Sequence, residues 1–264
     1  MIRTLRDFAA VRRLLASVLL SCATIASVAP PVAAQSTPAM TVLELFTSQG
    51  CSSCPAADAL FKSYVERPDV MALSYSVDYW DYLGWKDTLA SPKFTERQRR
   101  YAKTVSGGQV YTPQVVVNGA RHAVGSSRGD IDAMLTASRG SNAVEAFKVE
   151  ASRAEAAITI QPLGPRAGGA AAASAGSPVA AAATGIVWLL TVRAPQTIAV
   201  KRGENSGRTI TYVNSVRDVA QVGEWSGKAT TIKLPTGTAL GPDERYAVLI
   251  QRPQGPLLGA GWVK

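Results

Sequence analysis

The stretch E-L-F-T-S-Q-G-C-S-S-C-P, Glu44–Pro55, sets Cys51 and Cys54 as a C-x-x-C pair between an apolar run and a helical pattern. Upstream, Thr41 to Phe46 is apolar-rich and of strand length, interrupted by Glu44. Downstream, Ser53 to Glu66 carries Ala57, Leu60, Phe61, Tyr64 and Val65 at helical spacing, and Pro68 stops it. Pro55 fits the first helical turn, where its missing N–H is not needed. A thiol at such a strand-to-helix turn faces the positive end of the helix dipole and its unpaired N–H groups, which favour the thiolate. The expected chemistry is thiol–disulfide exchange: Cys51 attacks or is attacked through a mixed disulfide, and Cys54, one turn on, resolves it.

Outward from this stretch, the bulk properties describe an ordinary globular chain. Of its 264 residues 47% are apolar and 18% charged, which argues against disorder and allows one large domain or two modest ones. The formal charge is +9, and the first 34 residues hold four arginines against one aspartate, so three of those charges belong to that segment. No basic stripe is interleaved with stacking aromatics, so no nucleic acid partner is expected.

The segment 1–34 has the pattern of an export signal, with arginines ahead of the apolar run Leu14 to Val28 and small residues Val32, Ala33 and Ala34 before Gln35. Cleavage after Ala34 would leave a periplasmic or secreted protein with no transmembrane segment, in a compartment that permits disulfides. Two variants stand beside it: a lipoprotein anchored at Cys22, after Leu19-Leu20-Ser21, and a twin-arginine signal at Arg12-Arg13. Removal of the signal leaves Cys51 and Cys54 as the only cysteines.

From Thr41 the pattern alternates. Val70 to Val77 reads as a second strand, Asp78 to Leu89 as a loop dense in aromatics, and Ser91-Pro92 as the cap of a helix running to about Lys103. The strand Gln114 to Val117 and its return, Arg121 to Val124, flank Asn118-Gly119, a strong hairpin signal. Asp130 to Ser138 closes the region as a helix. Beyond Gly140 short strands follow: Val149 to Gln161, Gly185 to Arg193, Thr197 to Arg202, Arg208 to Val213, Ala229 to Leu234 and Arg245 to Gln251. The expected organisation is a domain at 35–140 and a β-rich domain at 141–264, with an Ala/Gly/Ser/Pro loop at 162–184.

Thr112-Pro113 is the second element of interest. Pro113 cannot donate a ladder hydrogen bond, so it belongs at the first position of its strand. A cis Thr112–Pro113 bond would present Thr112's backbone groups beside Cys51, where an extended substrate peptide could pair; an ordinary trans proline is the alternative. Glu44 reads either as a buried acid assisting Cys54 or as an exposed strand end. Asp78 and Asp81 could relay protons to Cys54 or be solvated. Tyr79, Trp80 and Trp85 could wall the cysteines or pack the two regions together. A static disulfide, half a zinc site, and a copper site built from Cys51, Cys54 and His122 are the rival readings of the pair.

The motifs F-T-S-Q-G-C-S-S-C-P from Phe46, V-D-Y-W-D-Y-L-G-W-K-D from Val77, V-Y-T-P-Q-V-V-V-N-G from Val110 and R-G-E-N-S-G-R-T from Arg202 carry a resemblance. The mature chain resembles a bacterial secreted family catalogued as domain of unknown function 1223. Strand, C-x-x-C and a later X-Pro resemble the thioredoxin superfamily, and Glu44 to Cys54 is locally similar to glutaredoxins. The resemblance implies an α/β fold: a thioredoxin-like domain, with a central mixed sheet flanked by helices, followed by a β-rich domain. It marks Pro113 as the cis-proline equivalent. The family pattern has a histidine before V-D-Y-W-D, where this chain has Ser76, which weakens the copper reading.

The resulting expectation is an exported thiol–disulfide oxidoreductase acting on protein or small-molecule thiols. Cys51 and Cys54 are catalytic, Thr112 and Pro113 bind substrate, and Glu44, Asp78, Tyr79 and Trp80 support them. No metal or cofactor is assigned. The partners are envelope protein thiols or a redox partner protein. The alternatives are a binding module for cuprous ion or a partner protein, and a structural disulfide.

Overall fold

The computed structural model describes residues 40–138, 144–152, 156–162, 184–235, 238 and 242–264. The export signal, Cys22 and all but the ends of the loop expected at 162–184 lie outside the described residues. Strand β1 (Thr41–Thr47) leads through the cysteine turn into α1 (Cys54–Val65), then β2 (Val70–Ser76), a 3-10 turn (Asp81–Leu83) and α2 (Pro92–Thr104). The hairpin β3 (Gln114–Val117) and β4 (Arg121–Val124) and the helix α3 (Arg128–Ser138) follow. Asn118 and Gly119 both have positive φ, 52° and 63°, as a tight hairpin turn of this sequence requires. The remaining strands are β5 (Glu145–Ser152), β6 (Ala157–Pro162), β7 (Gly185–Arg193), β8 (Gln196–Ala199), β9 (Thr209–Tyr212), β10 (Ser215–Trp225), β11 (Thr230–Lys233), β12 (Glu244–Gln251) and β13 (Leu257–Trp262).

All seven residues of β1 are buried, because it runs parallel to β2 on one side and antiparallel to β3 on the other, with both faces covered. Odd-numbered Leu43 and Leu45 face Ala57, Phe61 and Tyr64 of α1 and Ile131 and Leu135 of α3. Even-numbered Val42 and Phe46 face Phe94 and Tyr101 of α2. This period-two division explains why a continuous apolar run, rather than an alternating one, marks the strand.

The expected fold class is overturned. The described residues are sheet-rich, 44% strand against 21% helix. Eleven strands form one mixed sheet in the order β11-β6-β5-β13-β12-β7-β10-β2-β1-β3-β4, and the helices pack towards one end of it. No thioredoxin-like domain with a central sheet of its own is present among the described residues. The physical reason lies at β2, whose outer edge would otherwise expose unpaired backbone groups. Strand β10 pairs there in parallel at Ser215 and Ser74, Ser74 N–H donates to Asn214 O at 3.1 Å, and Asn214 Nδ2 donates to Ala72 O at 2.9 Å.

Val149 to Gln161, expected as one strand, is the antiparallel pair β5 and β6, and two further strands escaped the sequence reading. In β10, S-V-R-D-V-A-Q-V-G-E-W, bulges between Val216 and Asp218 and between Gln221 and Gly223 break the alternation that would reveal it. In β13, L-L-G-A-G-W, glycines replace apolar side chains because Phe147 lies across the strand: a Cβ on Gly259 would come within 1.6 Å of its ring. No helix among the described residues is long and apolar enough to cross a membrane.

Candidate functional site

The chain leaves β1 at Thr47 and turns sharply. Cys51 N–H donates to Ser48 O at 3.2 Å, Gly50 N–H to Ser48 Oγ at 3.0 Å, and Gln49 N–H to a carboxylate oxygen of Asp87 at 2.7 Å. Cys51 and Cys54 form a disulfide, with their Cα atoms 5.4 Å apart. The helix begins at Cys54 with Ser53 as its N-cap, so Cys51 stands ahead of the first turn rather than within it. Its sulfur lies 3.5 Å from Ser53 Oγ. Cys51 is 3% exposed and Cys54 0%; the disulfide is covered.

Part of that cover is the loop after β2. A Cβ on Gly50 would sit 3.0 Å from Trp80 Cβ and 3.1 Å from Trp80 O, so only glycine lets the two loops meet this closely. Trp80 Nε1–H donates to Thr112 Oγ1 at 2.7 Å, and the Thr112–Pro113 bond is cis. Trp80 thus ties the cysteine turn to the proline turn. Three other candidates are bound to α2 instead. Glu44 accepts from Arg97 Nε at 2.5 Å, from Arg97 Nη2 at 3.0 Å and from the Tyr101 hydroxyl. Asp78 accepts from Thr95 Oγ1 at 2.5 Å. Tyr79 Oη donates to Gln98 Oε1 at 3.2 Å, and burial pushes that phenol up to about 12.

The site also contains groups that the sequence reading did not single out. Asp58 follows Cys54 by one helical turn on the buried face of α1 shared with Ala57 and Phe61. Thr47 Oγ1 donates to its Oδ1 at 2.8 Å, while Oδ2 has no partner among the described residues. Burial pushes its carboxyl up to about 8, opposed by the Thr47 hydrogen bond and reinforced by the charge of Asp87. A neutral carboxyl is the favoured form near pH 7. Burial also pushes Asp87 up, to about 6, against the N–H groups of Gln49 and Leu89 that favour its charged form. Tyr212 of β9 has a buried hydroxyl without a partner among the described residues, and burial, then Asp58 and Asp87, hold it well above the ordinary tyrosine range. A carboxylate at i+4 from Cys54 within an apolar helical stripe was a readable signal for Asp58.

The cover is completed from far along the chain. Asn205, in the tip joining β8 to β9, is wholly buried, and its Nδ2 donates to Gln49 O at 3.0 Å and to Cys51 O at 2.8 Å. Glu204 Oε2 accepts from Ser52 N–H at 3.3 Å. The sequence signal for this residue was the R-G-E-N-S-G-R-T motif, which carries no chemistry of its own. His122 lies on β4 with Nδ1 2.8 Å from Tyr111 Oη. Among the described residues no group of three or more His, Cys, Asp or Glu side chains gathers to hold a metal ion.

A disulfide at a strand-to-helix turn, under loops from both halves of a mixed-sheet protein, defines the kind of molecule this is. The family model described as protein of unknown function (DUF1223) matches residues 42–251, and the chain belongs to that family. A search of curated proteins finds no match. The chain is similar to an X-ray crystal structure of a protein from Agrobacterium tumefaciens, with 34% identity over 86% of this chain and 95% of that one and a TM-score of 0.64. It is also similar in fold to HBP35 of Porphyromonas gingivalis, with 11% identity, 86% and 75% coverage and a TM-score of 0.54.

Proposed function

We propose that the protein is an exported thiol–disulfide oxidoreductase whose exchange centre is the Cys51–Cys54 pair. The observation that carries this reading is the formed disulfide one helical turn from Asp58, a buried carboxyl whose Oδ2 has no partner among the described residues. In one direction a substrate thiolate attacks the Cys51 sulfur, forming a mixed disulfide and expelling the Cys54 thiolate. Asp58 supplies a proton to that thiolate across the dry side of the helix. A second substrate thiolate then attacks the mixed disulfide, releasing oxidised substrate and reduced Cys51. Two electrons pass from substrate thiols to the protein, and the sequence runs equally in reverse. Thr112, at the cis-proline turn tied to Trp80, offers backbone groups to an extended substrate, with envelope protein thiols as partners in an oxidising compartment.

Burial of both sulfurs favours one rival, a disulfide that only staples the turn. A trap separates the two. In Cys54→Ser, Cys51 has no resolving thiol, so mixed disulfides with envelope proteins should accumulate and disappear on reduction. An empty trap beside a functioning positive control rules out the exchange reading.

A further inference from the structure

The tip between β8 and β9 is bonded to the backbone of the cysteine turn. Its hairpin is a two-stranded sheet outside the eleven-stranded one. It is held by a small cluster of Val200, Ile210 and Tyr212 on Leu89, with Trp85 packed alongside. Gly203 and Gly207 bracket the tip with φ of 75° and 83°, a bend open to glycine. Inside it Asn205 is oriented without ambiguity, because the two carbonyl oxygens it meets can only accept, so its NH2 must face them. Its Oδ1 is then left buried without a donor among the described residues. The closed tip therefore has three hydrogen bonds to the cysteine turn, two from Asn205 and one to Glu204, and one unsatisfied acceptor, which water would satisfy on opening.

We propose that Asn205, with Glu204, is a positioning residue of the Cys51–Cys54 site: it clamps the tip over the disulfide, and substrates reach Cys51 only when the tip lifts. This rests on the exchange reading for its biological use, though the clamp itself can be tested with a simple reductant. Attack needs the thiolate in line with the S–S bond, and Cys51 at 3% exposure offers no such approach. The clamp thereby selects against bulky partners that do not themselves displace the tip. Asn205 acts on the turn's backbone carbonyls rather than on either sulfur.

The test is reduction of the intact disulfide by dithiothreitol, which becomes the cyclic disulfide as Cys51 and Cys54 become thiols. Samples are quenched in acid and alkylated. Asn205→Ala removes both clamping bonds and should raise the reduction rate about tenfold. Glu204→Ala, at an exposed position where the fold tolerates change, should raise it about twofold. The equilibrium constant against glutathione should stay within about twofold of wild type, since a cover changes the barrier in both directions alike. Unchanged rates in both variants overturn the proposal. A faster Asn205→Ala accompanied by a wild-type rate in Glu204→Ala and a shifted equilibrium constant also overturns it, since that is the result of a purely structural role. An empty Cys54→Ser trap with accelerated Asn205→Ala reduction would sink the enzyme reading and leave the clamp standing.

Discussion

Replacing Arg97 by methionine is expected to destabilise the protein by about 3–5 kcal/mol, read as a lower urea midpoint at unchanged slope. Glu44 sits at 0% exposure in the centre of β1, and Arg97 at 6% provides its charge partner through two nitrogens, with the Tyr101 hydroxyl as the other donor. The guanidinium also lies 5.2 Å from the Tyr101 ring centroid and 5.7 Å from those of Tyr75 and Trp188. Methionine fills much of the space but leaves a carboxylate in a dry site with one hydroxyl. Buried pairs are costly to break and cheap to replace whole, so Glu44→Leu combined with Arg97→Met should recover most of the loss. A double variant no more stable than Arg97→Met would show that Arg97 acts through its ring contacts rather than through Glu44.

The second large effect concerns Asp58. In the folded chain burial raises its carboxyl from 3.8 to about 8, so the native state binds the proton more tightly than the unfolded state. Stability from this group is therefore fully present below about pH 3.8 and falls as pH rises towards 8, levelling off above that. Asp58→Asn imitates the protonated form at nearly the same volume. It should match wild type near pH 4 and exceed it at pH 8 by on the order of a few kcal/mol. Urea unfolding at a series of pH values measures the difference, and parallel curves would refute the assignment. The same substitution removes the group proposed to protonate Cys54, so wild type should show an inflection in exchange rate near pH 8 that the stabilised variant lacks. A more stable, less reactive protein is the combined expectation.

Asp58 also shows where local pattern sufficed and was left unused. An acid inside the stripe Cys54, Ala57, Asp58, Phe61 is as legible as the stripe itself. Glu44 is the opposite case. Its burial was one of two readings from an apolar run, but its partner was not readable, because Arg97 stands among other cations on a helix whose buried face is itself polar. Arg97 points inward while its neighbours Arg99 and Arg100 are exposed, and only the packing of α2 against β1 distinguishes them.

Short-range physics made the N-terminal half legible. The apolar run of β1, Pro55 in the first turn of α1, Ser91 capping α2 and Asn118-Gly119 in the β3–β4 turn each depend on neighbours within a few residues. The sequence by itself determined those elements, the pairing distance of Cys51 and Cys54, and the family. Tertiary structure alone decided that the two halves share one sheet, because β10 is bulged and polar and meets β2 through a short bridge near Ser74 and Ala72. It alone decided that the cysteine turn is tied to the β8–β9 tip, because Asn205 reaches Gln49 and Cys51 across more than 150 residues of chain. Such contacts depend on where the chain returns in space, and no periodicity or local propensity encodes that return.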